Sequence, residues 1–188
     1  MAFVRPEEVV KSFELEPGMV VADFGCGSGH YTIPAAKRVG ERGRIYALDV
    51  QKDLLQAVKS TAELNNLKNI EIIWADLDLP QGSRLADNSI DFVIISNILF
   101  QAEKREQIAK EAFRILKNNG KVTVIEWEKT EEKTGPASEQ RVAKEEARNI
   151  FLEQGFKLEK EFQPGDNHYG LIFRKSEAQS TKSETNPK

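Results

Sequence analysis

Apolar runs of five to eight residues alternate with helical patterns along the chain, the signature of repeated β-α units around a mostly parallel sheet. Seven runs read as strands: Met19 to Phe24, Gly43 to Asp49, Ile70 to Ala75, Ile90 to Ser96, Gly120 to Trp127, Phe156 to Phe162 and Tyr169 to Arg174. Helical stretches are predicted at Pro6 to Leu15, Tyr31 to Val39, Lys52 to Asn65, Lys104 to Leu116 and Ser138 to Gln154. In the fourth of these, Ile108, Ala112, Ile115 and Leu116 fall at helical spacing and form one stripe for packing on the sheet. Pro6 begins a helix, Pro17-Gly18 turns into the first strand, Asn118-Asn119-Gly120 stops a helix, and Gly155 is placed as a C-cap. Only Gln163 to His168 separate the last two strands, too few residues for a parallel crossover, so these two form an antiparallel hairpin.

The segment Val20-Val21-Ala22-Asp23-Phe24-Gly25-Cys26-Gly27-Ser28-Gly29-His30-Tyr31-Thr32 is an apolar strand running through a glycine-rich turn into a helix. Such a turn lets main-chain N–H groups approach a ligand at a helix N-terminus, outside the carboxyl ends of the strands. A dinucleotide loop would need glycine at position 30 or 32, which are His30 and Thr32. Asp23 would repel a pyrophosphate and attract a cationic amino group, which favours an amino-acid-bearing ligand.

Asp23-Phe24-Gly25-Cys26-Gly27-Ser28-Gly29 resembles the first motif of the class I S-adenosylmethionine-dependent methyltransferases, acidic-x-Gly-x-Gly-x-Gly. The resemblance runs from about Pro6 to Lys175. It implies a Rossmann-like, doubly wound α/β sheet of seven strands in the order 3-2-1-4-5-7-6, the last antiparallel. S-adenosylmethionine is the implied cofactor and S-adenosylhomocysteine its product. Asp23, Gly25, Cys26, Gly27 and Gly29 would contact it. Asp49, ending the second strand 24 residues beyond Gly25, would take the ribose hydroxyls, a surface turn acid being the alternative. Asp76 and Leu77 would hold the adenine, with Asp78 a neighbouring acid read as solvated and Val50 a candidate for the opposite ring face.

Acceptor-side candidates follow from position. Asn97 ends the fourth strand, where it could contact cofactor or acceptor or cap the next turn. No Asn-Pro-Pro-Tyr or Asp-Pro-Pro-Tyr follows, which argues against a nucleobase or amide nitrogen as acceptor. Tyr31 and His168 complete the tentative catalytic set, with a core aromatic and a solvated turn histidine as the alternatives. His30, the only other histidine, is placed at the helix start. Trp127 is a candidate for the acceptor cavity, and Phe3 and Val4 for a segment covering the site. Asp91 begins its strand at the opposite end of the sheet and is structural. The charged run Glu126 to Lys133 reads as a solvated loop.

Within the family the chain is similar to type 11 and ubiquinone/menaquinone-biosynthesis-like methyltransferases, through Arg114-Ile115-Leu116-Lys117-Asn118-Asn119-Gly120-Lys121 and His168-Tyr169-Gly170-Leu171-Ile172-Phe173. Asn118-Asn119 stands where that family commonly has Pro-Gly. A small-molecule methyl acceptor is therefore expected, of unassigned identity. The alternatives are a protein or RNA methyltransferase, or a binding scaffold without turnover.

Composition narrows the picture. A formal charge of −3 lacks the positive field of nucleic-acid binders, and no apolar run approaches the ~20 residues of a membrane span. Cys26 is the only cysteine, so neither a disulfide nor a cysteine-based zinc or arsenic site is expected, and no metal is assigned. A single domain over 1–175, a disordered tail over 176–188, a cytoplasmic setting and a possible homodimer complete the expectations.

Overall fold

The computed structural model describes residues 4–130 and 134–176. Seven strands form one sheet in the order β3-β2-β1-β4-β5-β7-β6. They are β1 (Val20–Phe24), β2 (Arg44–Asp49), β3 (Ile70–Trp74), β4 (Ile90–Ser96), β5 (Leu116–Trp127), β6 (Phe156–Gly165) and β7 (His168–Lys175). Pairing is parallel from β3 through β5, and β7 runs antiparallel to both β5 and β6. The helices are α1 (Pro6–Lys11), α2 (Thr32–Val39), α3 (Lys52–Leu64), α4 (Arg105–Ile115) and α5 (Lys144–Glu153). The predicted order, the terminal hairpin and the α/β class are all observed.

The central strands are buried on both faces, so β4 carries a continuous apolar run from Phe92 to Ile95. One face packs Ile108, Ala112 and Ile115 of α4 and Phe151 of α5 against Val93, Ile95, Val122 and Val124. The other packs Val9, Phe13, Tyr31 and Ala35 against Val21, Phe92, Ile94 and Ile125.

Element boundaries differ from expectation where side chains capture backbone groups. Helix α1 stops four residues early: the Ser12 hydroxyl donates to the Val9 carbonyl, and Glu14 takes a positive φ. Helix α5 starts six residues late because the Val142 carbonyl, which would enter the helix ladder, accepts instead from the Tyr169 hydroxyl. Asn118-Asn119-Gly120 does not terminate α4, which already ends at Ile115. It forms an irregularity within β5, between the Ile90–Leu116 and Phe92–Lys121 pairs. Asp91 is structural as expected, accepting from the Val20 amide and pairing with Lys117. The tail from Glu177 and the residue Phe3 lie outside the described residues. Val4 packs on the core beside α1.

Candidate cofactor site

A cavity of about 380 Å³ opens at the carboxyl ends of β1 to β4, a size within the range of small-molecule sites. Its wall includes Asp23, Gly25, Cys26, Gly27, Tyr31, Asp49, Val50, Asp76, Leu77 and Asn97, and also His30, Asp78, Ser96 and Ile98. The chain thus brings together the residues expected on the cofactor side. Gly29 packs beneath the wall against Val58.

The glycine turn is fixed by sterics on both sides. A Cβ at Gly25 would lie 2.2 Å from Ile98 Cγ2, and φ there is +67°, so only glycine lets the loop meet the β4 end. At Gly27 a Cβ would meet nothing, so the open backbone faces the cavity. Asp49 orients this loop. Its Oδ2 accepts from the Gly27 amide at 2.9 Å and its Oδ1 from the Gln51 amide at 2.9 Å, leaving further lone pairs toward the cavity.

Asp23 is buried and accepts from the Thr32 hydroxyl at 2.6 Å. Burial, reinforced by the neighbouring Asp49 charge and opposed by the Thr32 bond, pushes its carboxyl up to about 7. A cation placed beside Asp23 would restore its charge. Asp76 accepts from the Asp78 amide in a tight turn. Asp78 is not merely solvated: it accepts from the Lys104 amide at 2.9 Å and so ties the β3 end to the start of α4. Val50 is exposed at the rim, where its carbonyl accepts from the Trp74 indole at 2.9 Å.

Asn97 adopts φ +56°, its carbonyl accepts from the Gln101 side chain, and its own Oδ1 is buried without a partner. Its side chain does not cap the following turn, since that Oδ1 accepts from no amide there. Tyr31 is buried, with its hydroxyl beside Ser96 but in no hydrogen bond of standard geometry. Burial raises that phenol to about 12, so it is a proton donor near neutrality. Cys26 is buried, and burial raises its thiol far above the usual range, which leaves it an inert packing residue.

His168 lies outside the cavity wall. It starts β7 opposite Trp127, packs against that indole with ring centroids 4.0 Å apart and planes tilted by 41°, and is buried with Nε2 unpartnered. Burial, aided by Arg141, lowers it to about 4, which keeps it neutral.

Two residues escaped the sequence reading. Glu126, expected in a solvated loop, is fully buried, with its carboxylate accepting from the Leu99 amide at 2.7 Å. The strand period carried this signal, since Val122, Val124 and Glu126 share one core-facing side. Arg141 is also buried and gathers the loop after β5 by donating to the carbonyls of Glu128, Thr130, Thr134 and Pro136. No local pattern announces it.

Among the described residues no group of His, Cys, Asp and Glu is arranged to hold a metal, and no helix is long and apolar enough to cross a membrane.

A methyltransferase-domain family matches residues 15–171. Demethylmenaquinone methyltransferases from Bacillus mycoides and Bacillus cereus are 33% and 31% identical over 121 residues, 64% of this chain and 49% of each relative. The chain thus spans about half the length of the curated relatives it matches. A crystal structure of an S-adenosylmethionine-dependent methyltransferase from Aquifex aeolicus superposes with a TM-score of 0.82 at 29% identity, covering 90% of this chain and 89% of that one. A Sulfolobus solfataricus structure, provisionally assigned as a type 11 methyltransferase, gives 0.78 at 25% identity over 97% and 98% of the two chains. With the sheet order and the glycine turn, these matches place the chain in the class I S-adenosylmethionine-dependent methyltransferase family.

Proposed function

We propose that the protein binds S-adenosylmethionine in this cavity and transfers its methyl group to a small-molecule acceptor. The observation that carries this reading is the set of three carboxylates, Asp23, Asp49 and Asp76, spaced along one wall beside the open backbone at Gly27. Asp23 suits the ligand's ammonium group, Asp49 its ribose hydroxyls, and Asp76 with Leu77 its adenine. The buried, unpartnered Asn97 Oδ1 and the acidic side chains match a ligand rich in N–H and O–H donors.

The bound sulfonium supplies an electrophilic methyl group with a ready leaving group. The chain's own task is then alignment and exclusion of water. Asn97 and Tyr31 stand at the β4 side of the cavity and orient the reacting end. Tyr31, protonated near neutrality, donates a hydrogen bond to an acceptor oxygen. His168 is buried against Trp127 outside the cavity, so of the two histidines only His30 stands on its wall, and an acceptor that ionises readily makes the least demand on a base. A hydroquinone-like acceptor fits that chemistry, and the Bacillus relatives, described as demethylmenaquinone methyltransferases, support it.

Calorimetric titration with S-adenosylmethionine and S-adenosylhomocysteine tests the reading. Binding at about −8 kcal/mol, a micromolar affinity, is expected. It should collapse in Asp49→Ala, which removes both the ribose partner and the anchor of the Gly27 amide. Absence of heat with either ligand would overturn the cofactor assignment.

A further inference from the structure

The segment from Asn97 to Ala102 joins β4 to α4 and supplies Asn97, Ile98, Gln101 and Ala102 to the cavity wall. Ile98 is also the side chain pressed against Gly25. The position of the whole glycine turn therefore depends on where this segment sits. It is gripped at one buried residue, Leu99, from two directions. The Leu99 amide donates to Glu126 Oε1 at 2.7 Å, and the Leu99 carbonyl accepts from Arg105 Nε at 2.9 Å. The Ile98 amide also points at the Glu126 carboxylate. Arg105 is in turn held by Glu146 of α5. Glu126 Oε2 remains buried and unpartnered.

A hydrophobic residue would satisfy the β5 pattern at position 126, since Val122 and Val124 precede it on the same face. A carboxylate buried there is costly unless its hydrogen bonds serve a purpose. We propose that Glu126 is a positioning residue: in its charged form it fixes Ile98 and Leu99, and through them the glycine turn and Asn97, in the geometry that binds the cofactor. The inference rests on the cofactor reading above and adds a pH dependence to it.

Burial raises the Glu126 carboxyl to about 7, opposed by the Leu99 and Ile98 amides and by Arg105. The groups that act on it are Arg105 on α4 and Tyr169 on β7, and Tyr169 in turn feels Glu128 and Glu146. As pH falls through 7, Glu126 takes up a proton, the two amides lose a charged acceptor, and the grip on Leu99 weakens.

The test is S-adenosylhomocysteine titration of the wild type and Glu126→Gln across pH. Glutamine keeps a carbonyl acceptor but no charge. At about pH 8.5 the variant should bind about tenfold more weakly, the effect of replacing a charged by a neutral acceptor. At about pH 5.5 the two should agree within about twofold, because the wild type is then neutral as well. Asp23 titrates alike in both proteins and drops out of the ratio. A ratio of one throughout, with only a lowered melting temperature, would make Glu126 a packing residue and overturn the proposal. So would a ratio that does not change with pH.

Hydrogen exchange of the free wild-type protein provides a second reading that needs neither variant nor ligand. Protection of the Leu99 and Ile98 amides, corrected for intrinsic exchange, should fall as pH drops through 7, and constant protection overturns the proposal. Failure of S-adenosylhomocysteine to bind the wild type at any pH would instead remove the cofactor reading, and the amide protection would still report on the grip.

Discussion

A carboxylate with no cation beside it is unfavourable to bury, and Asp23 is buried within reach of a second carboxylate, Asp49. Its pKa is higher folded, about 7, than the ordinary 3.8, so the native state holds a proton that the unfolded state has released. The associated stability is complete below 3.8 and is lost as pH rises through 7. Asp23→Asn keeps an oxygen to accept from Thr32 and removes that loss. At about pH 8 the ligand-free variant should melt a few degrees higher than the wild type, while S-adenosylhomocysteine binding weakens by about tenfold or more. Differential scanning fluorimetry beside calorimetry checks both, and a variant that is both less stable and unimpaired in binding would refute the role. This residue was legible in the sequence because the motif around it is contiguous, and so was Asp49 at its strand end. Glu126 and Arg141 were not, since each acts on backbone that is local only in space: Leu99 lies 27 residues from Glu126.

Between elements, buried polar contacts tie loops to helices. Glu111 of α4 is buried and accepts from both the amide and the hydroxyl of Ser83, at 3.0 and 2.5 Å, while Arg114 and Asp87 complete the cluster. The arginine and serine bonds hold the Glu111 carboxyl below its usual range despite its burial. This anchors the connection from β3 to β4, the same connection that carries Asp76 and Leu77. Glu111→Ala strands the Ser83 amide and uncovers Arg114, and should cost about 3 kcal/mol in urea unfolding. A loss below about 1 kcal/mol would show that solvent takes over these bonds. Strand number and helix number could be read from periodicity because the pattern repeats along each element, whereas the strand order came with the family resemblance. The starts of α5 and the end of α1 could not, because Tyr169 and Ser12 claim carbonyls that propensity alone assigns to a helix.

For the molecule as a whole, three buried groups set the pH response. Asp23 and Glu126, both raised to about 7, disfavour the fold above neutrality. His168, lowered from 6.5 to about 4, has the opposite sense: the unfolded chain binds its proton first, so stability is lost as pH falls through that interval. The melting temperature should therefore change little between about pH 9 and about pH 8 and rise as pH is lowered through 7 toward about 5, with His168 offsetting part of the rise below 6.5. A flat profile between about pH 8 and about pH 5 would show that the carboxylates are better solvated than their surroundings imply.

The chain has two tryptophans, and the fold separates them. Trp74 is half exposed, bonded to the carbonyl of Val50 on the cavity wall and flanked by Lys52 and Arg84, whereas Trp127 is packed between His168 and the loop at Gly135. The protein thus carries its own pair of optical probes. Ligand entering the cavity beside Val50 should shift and quench the solvent-exposed emission of Trp74, while the shielded emission of Trp127 changes only when the loop wound around Arg141 opens. Stopped-flow fluorescence with Trp74→Phe and Trp127→Phe would then time cofactor entry and loop motion as separate events in an otherwise unlabelled protein.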